Sequence, residues 1–342
     1  MRGAVMYAPG DVRVEERDEP RIVEPTDVVI RVSAACVCGS ALWPYRGIGV
    51  EDAAWPVPIG HEYAGIVEEV GAEVVTVMPG QFVVGSFWAS DNTCELCRAG
   101  YQSACVNRVA IGALGAQAEL LRVPRADGTL VATPDLPPDD LIPSLLSASD
   151  VLGTGWFGAV AAEAGPGKTV AVVGDGAVGL LAVLAARQLG AERIIAMSRH
   201  EPRQRLAREY GATDIVEERG EDGVAAIKEL TDGLGAHSVV EAVGTQESML
   251  QAISSARPGG HVGFVGVGHG VALPGMELFW SLVHLHGGPA PVRRFLPQLI
   301  DLIWTRQIDP GKVFDLELPL EQAAAGYEAM DQRRAIKVLL RP

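Results

Sequence analysis

Three of the chain's five cysteines, Cys94, Cys97 and Cys105, stand just behind Asp91 in one short stretch. Two residues separate the first pair of thiols and seven precede the last. Such spacings gather soft donors around one divalent ion, which takes four ligands in a tetrahedron. Further along, Gly174-Asp175-Gly176-Ala177-Val178-Gly179 follows an apolar run with the spacing of a dinucleotide cradle. A metal ion and a dinucleotide in one chain point toward hydride chemistry.

These groups need a scaffold that brings distant segments together. At 342 residues the chain should form about two domains, and an apolar share of 48% suffices for sizeable cores. The formal charge of −15 argues against sequence-independent binding to nucleic acid or anionic lipid. Asp11, Glu15 and Glu16 interrupt the N-terminus before an apolar signal core forms, and the long apolar run from Val170 to Ala186 is broken by Asp175 and glycines. A soluble cytoplasmic protein without disulfides, bound to neither membrane nor nucleic acid, is therefore expected.

The first 150 residues read as β-rich, with short apolar runs at Val28 to Val32, Ala64 to Val70, Phe82 to Val84 and Ala118 to Val123. From Gly167 the rhythm changes to alternating strand and helix: strand from Thr169 to Val173, helix from Val178 to Leu189, strand from Arg193 to Met197, helix from Pro202 to Tyr210. Helices near Ala225 to Leu230 and Met249 to Ala256 alternate with strands at His237 to Val243 and His261 to Val265. Continuously apolar strands between helices mean a parallel sheet covered on both faces. The tail reads helix, helix, strand.

In the cradle, Gly174 permits the tight turn, Gly176 lets backbone approach a pyrophosphate, and Gly179 lets the helix pack on the strand. The helix N-terminus then offers free N–H groups to phosphate. A glycine-rich turn in an unrelated α/β protein is the alternative. Where an NAD site places an acid for the ribose 2′-hydroxyl stands Ser198, followed by Arg199, with Arg203 and Arg205 nearby. With no carboxylate there and guanidinium groups able to grip a 2′-phosphate, NADP(H) is favoured over NAD(H). The alternative is that these arginines merely solvate a helix.

Cys38-Gly39-Ser40, then Gly60-His61-Glu62, then Asp150 ahead of Gly153-Thr154-Gly155 complete a larger pattern. The chain resembles the zinc-dependent medium-chain alcohol dehydrogenases over essentially its whole length. The resemblance implies an α/β fold: a Rossmann doubly wound parallel sheet plus a β-rich GroES-like catalytic domain. The catalytic domain would comprise residues 1–151 and 291–342, the Rossmann domain residues 152–290, with Gly155 and Pro289 near the crossings and a cleft between them.

It further implies that Cys38, His61 and Asp150 hold a catalytic zinc with a fourth position open for water or substrate. Glu62 would lie beside the metal and exchange with the substrate oxygen, and Ser40 would take the alcohol proton. Thr154 and Val178 would flank the nicotinamide, and Lys337 would meet the pyrophosphate. The cysteine loop matches the family's structural zinc lobe, usually four thiolates; Asp91 at the first position makes it a Cys3Asp site, or else a metal-poor loop. Cys36 matches no ligand position and reads as a buried thiol. Phe87, Trp88 and Trp156 are candidate pocket walls.

Two departures stand out. Ala41 replaces the aspartate that usually orients the zinc-binding histidine, which predicts a weakened catalytic zinc or a compensating bond to His61 from elsewhere. Trp43 replaces a histidine that relays the proton to solvent in many relatives, which predicts slower or pH-shifted proton release. The expected activity is reversible hydride transfer between nicotinamide and an alcohol, with ketone or aldehyde as product. Polyol, threonine or formaldehyde oxidation, zinc-free quinone or enoyl reduction, and a non-catalytic NADPH-binding role are the alternatives. A homodimer or homotetramer is expected, joined in part by a nucleotide-domain sheet edge near Val283 to Leu285.

Overall fold

The computed structural model describes residues 1–50 and 52–342. The chain divides into two compact units, Met1–Gly153 with Pro291–Pro342, and Thr154–Ala290.

The first unit is built on a seven-stranded sheet. Its order runs Leu130–Ala132, Phe82–Gly85, Tyr63–Val70, Val28–Cys36, Lys337–Arg341, Phe314–Pro319, with Leu120–Val123 also paired to Val28–Cys36. Val28, Ile30, Val32 and Ala35 pack with Tyr63, Val67, Val83 and Leu121 in its core, each large apolar side chain contributing about 1.5–3 kcal/mol on burial. The register sets one end of this sheet. Ala35 lies opposite Tyr63, and Cys36 opposite Leu339, both pairs antiparallel. The exit of Val28–Cys36 therefore meets the entrances of Tyr63–Val70 and Lys337–Arg341. Three chemistry-bearing segments, at Cys38, at His61-Glu62 and at Lys337, converge there although far apart in sequence.

An antiparallel hairpin, Arg2–Ala8 with Asp11–Glu16, joins Val57–Pro58 in a second small sheet. The apolar alternation of this hairpin is weak in the sequence, because charged residues break it after Val14.

The second unit is a six-stranded sheet in the order Asp214–Val216, Arg193–Met197, Thr169–Val173, Ala236–Glu241, Ala256–Phe264, His284–Gly287. Every neighbouring pair is parallel. Strand order reverses at Thr169–Val173, the doubly wound arrangement that opens a crevice at the carboxyl ends of the strands. The glycine motif is the turn between Thr169–Val173 and the helix Ala177–Gln188, at that reversal. The chain is thus a Rossmann-type parallel sheet with a GroES-like β-domain. Among the described residues no helix is long and apolar enough to cross a membrane.

Candidate metal and dinucleotide sites

Cys38 caps a short turn, Gly39–Ala41, as the chain leaves its strand. His61 and Glu62 directly precede Tyr63–Val70, and Asp150 directly precedes the helix Val151–Ala161. One donor atom from each of these four residues lies within 4.8 Å of all the others. The Cys38 thiol sits 3.6 Å from Asp150 Oδ2, and His61 Nε2 lies 3.1 Å from that same oxygen. Bonds of about 2.0–2.3 Å in a tetrahedron hold ligand atoms about 3.3–3.6 Å apart, so the spacing suits zinc. Cys38, Glu62 and Asp150 are buried. Burial, then the charges of Glu62 and Asp150, push the Cys38 thiol up against the pull of His61. A buried thiol between two carboxylates is a donor set that a divalent cation satisfies.

Glu62 supports the same fit. Its Oε2 is buried with no hydrogen-bond partner among the described residues. Its Oε1 accepts from Lys337 Nζ at 2.8 Å, and that ammonium also donates to the Val37 carbonyl at 3.2 Å. Lys337 is wholly enclosed, with its Nζ 5.7 Å from the Phe314 ring centre. The pyrophosphate contact expected of Lys337 is therefore not what the structure shows. Register places the lysine at the start of its strand, facing Glu62 instead of solvent. Ser40 donates its hydroxyl to Cys38 Sγ at 3.2 Å, which puts a proton-carrying group at the site. The Phe87 ring stands edge-on to His61, 6.1 Å between centroids.

Ala41 packs beside the apolar cluster of Leu42, Ile59 and Tyr327. His61 bonds through Nε2 to Asp150, and among the described residues no acceptor holds its Nδ1, so the missing aspartate has no visible replacement.

Asp91, Cys94, Cys97 and Cys105 likewise bring one donor each within 4.8 Å. Cys94 and Cys97 sulfurs are 3.5 Å apart, across the first turn of the helix Glu95–Arg98. Asp91 Oδ1 accepts from the N–H groups of Thr93 (2.8 Å) and Cys94 (3.0 Å), and Oδ2 accepts from Asn107 at 2.8 Å. Burial opposes ionisation of Asp91, but these donors outweigh it and hold the carboxyl well below its usual range. Oδ2, which accepts only one of these bonds, retains lone-pair capacity for a metal. The aspartate thus both orders the loop and fits the fourth corner.

In the second unit Gly174 has φ +119°, open to glycine alone, and a side chain on Gly179 would collide with the Gly174 carbonyl. Gly176 caps the helix Ala177–Gln188, whose second residue is Val178. Thr154 is buried on the helix Val151–Ala161.

One expectation about the cofactor fails. A carboxylate does occupy the end of Arg193–Met197, supplied from the glycine turn. Asp175 Oδ2 accepts from the Ser198 hydroxyl at 2.7 Å, and Oδ1 accepts from Arg203 at 3.1 Å. Arg203 is therefore already neutralised. Arg199 is exposed and anchored through Nε to the Glu217 carbonyl at 3.1 Å. The only sequence signal for Asp175 was an acid inside the glycine motif.

Comparison with known proteins agrees with this architecture. Residues 24–135 match the alcohol dehydrogenase GroES-like domain family, and residues 177–303 match the zinc-binding dehydrogenase family. A probable zinc-binding alcohol dehydrogenase of Mycobacterium tuberculosis is 37% identical, the match spanning 100% of this chain and 89% of that protein. An NADP-dependent isopropanol dehydrogenase of Thermoanaerobacter brockii is 32% identical over 92% of this chain and 91% of its own length. The alcohol dehydrogenase structure from Thermus sp. ATN1 superposes with a TM-score of 0.88 at 33% identity, covering 100% of this chain and 99% of that one. A two-site protein with a doubly wound nucleotide unit is what the fold and donors define. The chain belongs to the zinc-dependent medium-chain alcohol dehydrogenase family, whose members are oxidoreductases that use zinc and a nicotinamide cofactor.

Proposed function

We propose that the protein is an NADP(H)-using, zinc-dependent alcohol dehydrogenase that interconverts an alcohol and its ketone or aldehyde. The observation that carries this reading is the convergence of Cys38 Sγ, His61 Nε2 and Asp150 Oδ2 within tetrahedral reach. Those three residues would hold the catalytic zinc; Asp91, Cys94, Cys97 and Cys105 would hold the structural one. When bound, zinc supplies Lewis acidity at a substrate oxygen and nicotinamide supplies the hydride acceptor or donor.

The chain's own groups do the rest. Ser40 holds a transferable proton beside Cys38. Glu62, tied through Oε1 to Lys337, keeps an unpartnered Oε2 beside the other donors, from where it would exchange with the substrate oxygen. Trp43 in place of a histidine leaves proton release to the Ser40 side. Gly174, Gly176 and Gly179 admit a pyrophosphate to the helix N-terminus, with Thr154 and Val178 toward the nicotinamide. Exposed Arg199 at the end of the second strand supports a 2′-phosphate, and the NADP-dependent relative from Thermoanaerobacter brockii favours the same choice.

The partner in solution is a second copy of this chain, and the compartment a cytoplasmic one. His284–Gly287 is an edge strand, and beside it Met276, Phe279, Trp280 and Leu282 are exposed. Unpaired backbone next to an apolar face suits sheet continuation between two copies.

The test is oxidation of NADPH and of NADH against a panel of ketones and aldehydes, with zinc counted per chain. About two zinc ions and NADPH-dependent carbonyl reduction are expected. Enone reduction by metal-free protein, or no turnover with zinc and cofactor both bound, would overturn the reading.

A further inference from the structure

We infer that Asp175 places a resident carboxylate in the seat of the cofactor's 2′-phosphate, and that this carboxylate sets the balance between NADP(H) and NAD(H). The inference rests on the dinucleotide reading above and deepens it.

In doubly wound folds the adenosine ribose lies at the end of the second strand, where an acid accepts the 2′-hydroxyl or an arginine takes the 2′-phosphate. Here that strand is Arg193–Met197, and Ser198 follows it. The Ser198 hydroxyl donates to Asp175 Oδ2 at 2.7 Å. Arg203 donates from one nitrogen to Asp175 Oδ1 at 3.1 Å and to the Asp175 carbonyl at 3.3 Å. The Ser198 hydroxyl and one Arg203 nitrogen are thus already engaged by an anion, and the Asp175 and Arg203 side chains are only 16% and 13% exposed.

Two consequences follow. A 2′-phosphate must displace the carboxylate from Ser198 and Arg203, and the two anions repel. A free 2′-hydroxyl needs no displacement, since it donates to the carboxylate already present. Among Asp175, Arg199 and Arg203 the formal charge is −1 + 2 = +1; with asparagine at 175 it becomes +2, better matched to a phosphate of about −1.5 to −2. The acid that favours a ribose hydroxyl has moved from the strand end into the glycine turn, but it reaches the same place.

The experiment uses the zinc-loaded chain and two fragments, 2′,5′-ADP and 5′-AMP, titrated calorimetrically into the parent and Asp175→Asn. A charge-assisted bond is worth about 1.5–3 kcal/mol, so freeing the donors should tighten 2′,5′-ADP roughly ten- to hundredfold. Binding of 5′-AMP should move less than about threefold. In the Asp175→Asn/Arg203→Ala double variant the gain should disappear, because the freed guanidinium is what captures the phosphate. Asp175→Ser gives a second route to the same comparison if the asparagine variant folds poorly. Unchanged or weakened 2′,5′-ADP binding in a folded Asp175 variant overturns the inference and leaves the dinucleotide reading intact. Failure of the parent to bind NADPH, NADH and both fragments overturns the dinucleotide reading itself.

Discussion

Replacing Lys337 with methionine removes an ammonium that is wholly enclosed and bonded to Glu62 at 2.8 Å. Breaking a buried pair by deleting one partner costs about 3–5 kcal/mol, because the remaining charge is left uncompensated. The unit that holds the pair contains 153 + 52 = 205 residues. For a unit of that size each kcal/mol shifts the melting temperature by about 2–4 °C, which gives a loss of about 6–20 °C for Lys337→Met. Two further results separate this electrostatic cause from simple loss of packing. Adding Glu62→Leu should recover most of the loss, since an apolar pair of similar volume is close to neutral. Chelation should deepen the loss, because a cation beside the orphaned Glu62 oxygen is then also removed. Scanning calorimetry of the parent, the single and the double variant, with and without chelator, reads all three. A single variant melting within about 2 °C of the parent, or a double variant no more stable than the single, would refute the reasoning.

Three other predictions rest on independent features. Ala41→Asp should raise zinc affinity about 10–100-fold by giving His61 an acceptor, as measured by competition with a chromogenic chelator; unchanged affinity would show that the histidine is already oriented. Arg199→Ala should weaken NADPH binding about tenfold while NADH changes little, read by quenching of protein fluorescence. The third concerns pH. Asp214 accepts two bonds from Arg193, at 2.8 and 2.9 Å, which holds its carboxyl below the usual range. A depressed folded pKa means that this stability is present above about pH 4 and lost as pH falls through the folded value. Because the pair is partly exposed, Asp214→Asn should cost about 0.5–1 kcal/mol at pH 7, and the gap from the parent should close in acid.

What was legible in the sequence follows from range. Thr169–Val173 and Arg193–Met197 were readable to the residue because buried parallel strands are continuously apolar and glycine or a helix bounds them. The cysteine loop was legible from its close spacing, whereas Cys38, His61 and Asp150, far apart in the chain, were expected only through the family resemblance. The two corrections share a different cause. A lysine is exposed by default, so nothing local marks Lys337 as enclosed; its partner Glu62 lies 275 residues away. Asp175 reaches Ser198 across 23 residues, a contact made by the strand crossover and invisible to a reading that checks only the residues following the second strand. The helix Gly275–Ser281 carries little sequence signal, because seven residues are too few to set a helical period and none of its side chains is buried.

The proposed chemistry depends on one ion shared by Cys38, His61 and Asp150. A crystal of the zinc-loaded protein, with diffraction recorded on either side of the zinc absorption edge, locates that ion directly. We predict an anomalous peak about 2.0–2.3 Å from Cys38 Sγ, His61 Nε2 and an Asp150 carboxylate oxygen, with Glu62 still on Lys337. A fully zinc-replete crystal without that peak, or with the three side chains bound to different centres, would contradict it.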